Sequence, residues 1–156
     1  MDEQQAFFEL KQKKEEELFT IYAASAGINK YKFTGLKESY DVKMRSGQTL
    51  FIVETKVRDN YDLAFFEKNG PFLEYKKING MQKEKEKLAE KGIEVVMLYI
   101  NFAKNGIQLF YINDVNPYID SYDFFWKLLP KDNYNPAIKI QKLVAILNKP
   151  TEIIKY

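Results

Sequence analysis

Cysteine and histidine are both absent from the 156 residues. The first absence excludes disulfides, thiolate chemistry and cysteine-ligated zinc. The second excludes Ser-His-Asp and Cys-His catalysis and every histidine-ligated metal. Acid–base or metal chemistry must therefore rest on Asp, Glu, Lys or Tyr, and a carboxylate site for a hard cation such as Mg²⁺ stays open. No run of about 18 apolar residues is present, so no transmembrane helix is expected. The charged start, MDEQQAFFELKQKK, lacks the apolar stretch of a signal peptide. A soluble protein in the cytoplasm is expected, without a membrane partner. Phosphate-binding GxxxxGK[ST] and GxGxxG loops are missing too.

Net charge is only +2, which alone does not argue for nucleic acid. Its distribution is more informative. Lys30, Lys32, Lys37, Lys43, Arg45, Lys56 and Arg58 stand against Glu38, Asp41 and Glu54, so residues 27–58 are locally basic.

Hydrophobic residues make up 46% of the chain, enough for one sizeable core. Residues 2–25 read as a helix, with Phe7, Leu18, Ile21, Tyr22 and Ser25 along one stripe and Gly27 as the stop. Residues 28–38 read as irregular. Residues 39–46 alternate in polarity and residues 49–57 are rich in β-formers. Gly47-Gln48 between them suits a two-residue type II′ turn. Residues 58–71 read as a long loop, and residues 72–91 as a helix closed by Gly92, with Gly80 weakening it. Residues 94–102 form an apolar strand that should be central, and residues 107–113 pair back onto it after Lys104-Asn105-Gly106. Residues 114–137 read as irregular, and residues 138–147 as a strand in preference to a short helix. The fold expected is a single α/β domain over residues 1–156, with a mixed sheet flanked by helices. Its order is α-β-β-α-β-β over a core of about 5–112, followed by a loop-rich extension, 113–156.

The hairpin carries the candidate chemistry. With Gly47-Gln48 at the turn, paired residues have numbers summing to 95, so Val42 faces Val53, Met44 faces Phe51 and Asp41 lies opposite Glu54. Tyr40, Val42, Met44, Phe51 and Val53 form an apolar face that should pack on the first helix. The other face gathers Asp41, Glu54 and Lys56. Carboxylates at cross-strand separation, about 5 Å between Cβ atoms, repel unless a cation lies between them. Lys56, about 6.6 Å farther along the same face, would reach a phosphate oxygen or the attacking water.

Asp41 followed by Glu54-Thr55-Lys56 resembles the D-x(n)-E-x-K signature of PD-(D/E)XK nucleases, with Tyr40 where the name-giving proline stands. The preceding helix and the helix and strand that follow match the restriction-endonuclease-like core. Leu73-Glu74-Tyr75-Lys76-Lys77 with 97–102 looks like a phage and bacterial branch of that superfamily. The resemblance implies a nuclease that hydrolyses phosphodiester bonds of nucleic acid, DNA rather than RNA, in a bacterial or phage-infected cell. It implies Mg²⁺ or Mn²⁺ held by Asp41 and Glu54, with Lys56 as the catalytic lysine and Lys77 beside the site. Glu17 is the first-helix glutamate beside the metal, with Glu16 and Glu9 as weaker candidates. A homodimer is compatible with it. The alternatives are a nucleic-acid-binding module that keeps the fold without cleaving, and a protein–protein adaptor using the 114–137 region. The E-x-K triplet also occurs at Glu9-Leu10-Lys11 and Glu74-Tyr75-Lys76, but there it falls outside an alternating hairpin.

Overall fold

A computed structural model describes residues 2–35, 40–112, 124–132, 134–147 and 149–156. Helix α1 (Glu3–Ser25) opens on Asp2, whose carboxylate accepts from the Gln5 N–H at 2.7 Å. It ends where the Ile28 N–H bonds the Ala23 carbonyl across Gly27, whose φ of 73° favours glycine. Its buried stripe is Phe19, Tyr22 and Ala23, whereas Ile21, expected inward, is 66% exposed. One hundred degrees per residue puts position 21 well round the helix from position 19.

A short strand, β1 (Lys30–Phe33), occupies part of the stretch expected to be irregular. Its alternation is visible in the residues, with Tyr31 and Phe33 packed on the core and Lys30 and Lys32 outward. β2 (Val42–Ser46) and β3 (Thr49–Arg58) then form the expected antiparallel hairpin. Val42 pairs with Val53, Met44 with Phe51 and Ser46 with Thr49, so the register is the one the turn implied. Gly47 has a φ of 62° and, among the described residues, no non-glycine residue has a positive φ, as a type II′ turn requires.

Residues 58–71, expected as a loop, contain helix α2 (Leu63–Asn69). Asp62 caps it by accepting from the Phe65 N–H at 2.9 Å. The expected helix 72–91 splits into β4 (Phe72–Glu74) and α3 (Tyr75–Ala89). β4 pairs with a later strand, β8 (Lys139–Ile146), and that pairing outcompetes helix formation at the apolar Phe72 and Leu73. β5 (Val95–Ala103) runs parallel to β3 and antiparallel to β6 (Gly106–Tyr111), inside the sheet as expected. The C-terminal extension is less loop-rich than expected. β7 (Phe125–Pro130), β8 (Lys139–Ile146) and β9 (Glu152–Lys155) are strands, while the rest of the expected irregular stretch lies partly outside the described residues.

A six-stranded sheet has the order β1-β2-β3-β5-β6-β9, and a three-stranded sheet the order β4-β8-β7. The fold is a mixed α/β domain with a mixed sheet and, among the described residues, three helices. Helix α1 covers one face of the large sheet, burying Phe19 and Tyr22 against Val42, Met44, Val53 and Ile100. Helix α3 covers the other, with Ile78 and Met81 against Leu50, Ile52 and Met97. Each such large apolar side chain contributes roughly 1.5–3 kcal/mol by leaving water. Among the described residues, no helix is long and apolar enough to cross a membrane.

Candidate active site

The ten-residue β3 outruns the apolar cover of α3. Leu50 and Ile52 point into the α3-side core. The next three side chains on that face are Glu54, Lys56 and Arg58. Apolar packing thus gives way to charge along one row of one strand. Glu54 is 1% exposed, as deeply buried as the core around it.

Asp41 stands one residue before the paired part of β2. Its N–H donates to the Val53 carbonyl at 2.9 Å. Its carboxylate crosses toward β3, where Oδ2 accepts from the Thr55 N–H at 2.8 Å and the Thr55 hydroxyl at 3.1 Å. The strict alternation expected from residue 39 therefore holds only from Val42 onward, and Tyr40 joins the α3-side core instead of the α1 side. The Thr55 bonds leave the other Asp41 oxygen for a further ligand.

Lys77, in the first turn of α3, places Nζ 3.6 Å from Glu54 Oε1. Glu54 Oε2 is buried with no hydrogen-bond partner among the described residues. An orphaned carboxylate oxygen in low dielectric is costly and calls for a cation or donor.

Helix α1 supplies the fourth wall, through residues other than the one expected. Lys11 and Glu15 lie at i−8 and i−4 from Phe19, so they continue the buried stripe past the edge of the core. Both line the pocket with Asp41, Glu54, Lys56 and Lys77, a space of about 130 Å³. Glu17 lies two residues on, some 200° round the helix from Glu15. It is exposed and borders a separate depression with Lys13, Thr20 and Ile21. Glu16 reaches the pocket rim and accepts from Gln12 Nε2 at 3.0 Å, and Glu9 is exposed. The pocket thus unites Asp41, Glu54, Lys56 and Lys77, excludes Glu17, and adds Glu15, Lys11 and Thr55, which sequence reasoning missed. The stripe running back from Phe19 was the available signal for the helix residues.

Burial pushes the Glu54 carboxyl up to about 8, and the Asp41 charge adds to this against Lys77 and Lys56. Burial likewise pushes Glu15 up to about 7, again helped by Asp41. Burial works against the Lys56 charge, but Glu54, Glu15 and Tyr99 outweigh it and hold this ammonium above its ordinary value. Lys11 is lowered by burial and by Lys56. Acids raised and a lysine raised within one pocket mark a cluster whose charges are not yet balanced.

Arg58 is committed elsewhere. Its guanidinium donates to the Tyr99 hydroxyl, to Asn101 Oδ1 at 3.3 Å and to the Phe72 carbonyl at 3.3 Å. Asn101 in turn donates to Gln108 at 3.1 Å, so a buried polar chain runs from β3 through β5 to β6. That chain fixes the floor beside Lys56, which pairs with Asn101 across the parallel ladder.

Two carboxylates with free oxygens, Asp41 and Glu54, suit a hard divalent cation. Among the described residues, no group of three or more acidic side chains already closes around one point. A cation here would complete its shell with water, the usual habit of Mg²⁺. No family model, no curated protein and no solved structure matches this chain.

Proposed function

We propose that this chain is a metal-dependent nuclease of the PD-(D/E)XK type, hydrolysing phosphodiester bonds of nucleic acid, DNA rather than RNA. One observation carries the reading: the buried, unpartnered Glu54 oxygen sits in one pocket with Asp41 and Lys56. Asp41 and Glu54 are the residues that would hold Mg²⁺ or Mn²⁺. The bound cation would polarise the phosphoryl oxygen and offset negative charge gathering in the transition state.

Thr55 holds Asp41 through two hydrogen bonds, so its carboxylate is oriented before any ligand arrives. Lys56 stays charged, so it holds the attacking water and the developing charge and does not take a proton. Glu15 faces the same pocket and is the carboxylate placed to accept that proton, or to hold the cation through water. Lys77 steadies Glu54 while no cation is bound and adds positive charge where a phosphate would enter. The Arg58–Asn101–Gln108 chain keeps β3 and β5 in fixed register beneath these groups.

Incubation with supercoiled plasmid and labelled oligonucleotides, in Mg²⁺ and in EDTA, tests this. Cation-dependent cleavage that Lys56→Ala abolishes supports the reading, and no cleavage of any of them contradicts it. A second reading is a binding module that keeps the fold without cleaving. It draws on Lys77, whose ammonium neutralises Glu54 in place of a cation. Nucleic-acid binding without hydrolysis in any divalent cation would favour it.

A further inference from the structure

A second, larger hollow of about 590 Å³ adjoins the carboxylate pocket and shares Lys11, Lys56 and Lys77 with it. It lies between the end of β3 and the small sheet, whose Leu129, Pro130 and Lys142 form the far wall. Its acids are already matched: Asp59 pairs with Lys14 at 2.5 Å and Glu74 with Lys142 at 3.0 Å. Lys11 and Lys56 have no carboxylate within ion-pair distance among the described residues. The surplus along the groove is therefore positive, and it leads to the carboxylates.

Tyr134, in the turn between β7 and β8, packs its ring on Phe7 of α1 at 5.5 Å between centroids. Its hydroxyl donates to Glu3 at 3.4 Å. The turn of the small sheet thus touches the first part of α1. The hollow's volume is that of a small-molecule site.

Tyr61, 48% exposed, also lines the groove. The Phe65 ring lies parallel to it, 4.1 Å away and tilted by only 18°. One ring face is thus backed and the side chain is held flat while much of it stays in water. That is an aromatic platform for a further ring, and bases stack on such platforms irrespective of sequence. Trp126, 68% exposed, lies on the small sheet and does not line the groove.

We infer that this groove receives an unpaired nucleic-acid strand, with a phosphate on Lys11, a base on Tyr61, and the chain led into the Asp41–Glu54 pocket. The inference rests on the nuclease reading of that pocket and adds strandedness to it. Fluorescence anisotropy tests it with fluorescein-labelled oligothymidylate of about 15 nucleotides and a blunt duplex of equal length. Both are measured in Ca²⁺, which occupies carboxylate sites while fitting Mg²⁺ geometry poorly. The unpaired strand is expected to bind at least about ten-fold tighter than the duplex. Tyr61→Ala should weaken strand binding by about ten-fold, Tyr61→Phe should keep it, and Trp126→Ala should leave it unchanged. Circular dichroism checks that each variant folds. Equal or tighter duplex binding, or no loss in Tyr61→Ala, overturns the inference and leaves the nuclease reading standing. Binding of neither probe overturns both.

Discussion

Replacing Glu54 by Gln is expected to stabilise the cation-free protein relative to wild type by an amount that grows as pH rises from about 4.3 to about 8. Glu54 is 1% exposed and lies beside Asp41, and its carboxyl is raised to about 8 by burial first and by Asp41 second. In the unfolded chain the same group titrates near 4.3. A carboxyl raised by folding contributes its full share of stability below the unfolded value. That share is lost as pH climbs through the window from about 4.3 to about 8, because the unfolded chain releases the proton first. Each unit of difference corresponds to about 1.4 kcal/mol, so the full window amounts to a few kcal/mol. The substituted amide carries no proton to lose. Urea unfolding of both proteins in EDTA, at pH 5 and at pH 8.5, isolates the effect, since the cost of the new amide is common to both conditions. Glu54→Gln should be more stable relative to wild type at pH 8.5 than at pH 5 by roughly 2–4 kcal/mol. An equal difference at the two pH values would refute a buried Glu54 of raised pKa.

The same pocket geometry sets three further outcomes. Asp41→Asn should lose cleavage and lose the gain in melting temperature that wild type shows with Mg²⁺. Its cation-free stability should match or exceed wild type, because the amide oxygen can still accept from Thr55. Glu15→Gln should lower the cleavage rate by 10²-fold or more, about the contribution of a positioned proton acceptor, while Glu17→Gln, on the opposite side of α1, leaves it unchanged. A rate assay on the pair checks this, and equal losses would mean that α1 is rotated from the orientation described. Lys56→Ala should abolish cleavage while labelled-strand binding, read by anisotropy, falls by no more than about ten-fold. A larger loss of binding would make Lys56 a phosphate anchor instead of a participant in the chemistry.

The hairpin was legible because a two-residue turn and a period of two leave little freedom: Gly47-Gln48 fixed Val42 opposite Val53 and Met44 opposite Phe51. The charged row of Glu54 and Lys56 followed from the same alternation. Asp41 shares their pocket as expected, but it lies beyond the ladder, where its carboxylate bonds Thr55 and the chain bends. Helix α1 was legible as a helix, but its charged residues obscured its phase. Only the three buried side chains Phe19, Tyr22 and Ala23 define the stripe that selects Glu15 over Glu17. Helix α2 had both its signals, Asp62 before and Gly70 after, and was hidden by its seven-residue length. The small sheet was the hardest to foresee. β4 has three residues and finds its partner in β8, some seventy positions away, and no local pattern reveals a pairing at that separation. The groove between the sheets was therefore beyond reach from sequence, although its lysines were all in view.

Everything proposed for the pocket depends on a divalent cation seated between Asp41 and Glu54. Anomalous diffraction at the manganese edge, from crystals grown with Mn²⁺, locates that ion directly. The expected result is one strong peak within coordination distance, roughly 2.0–2.5 Å, of a carboxylate oxygen from each, with Lys77 displaced from Glu54. A pocket without a peak, in which Lys77 still neutralises Glu54, or a peak bound by Glu17 in place of these residues, would contradict it.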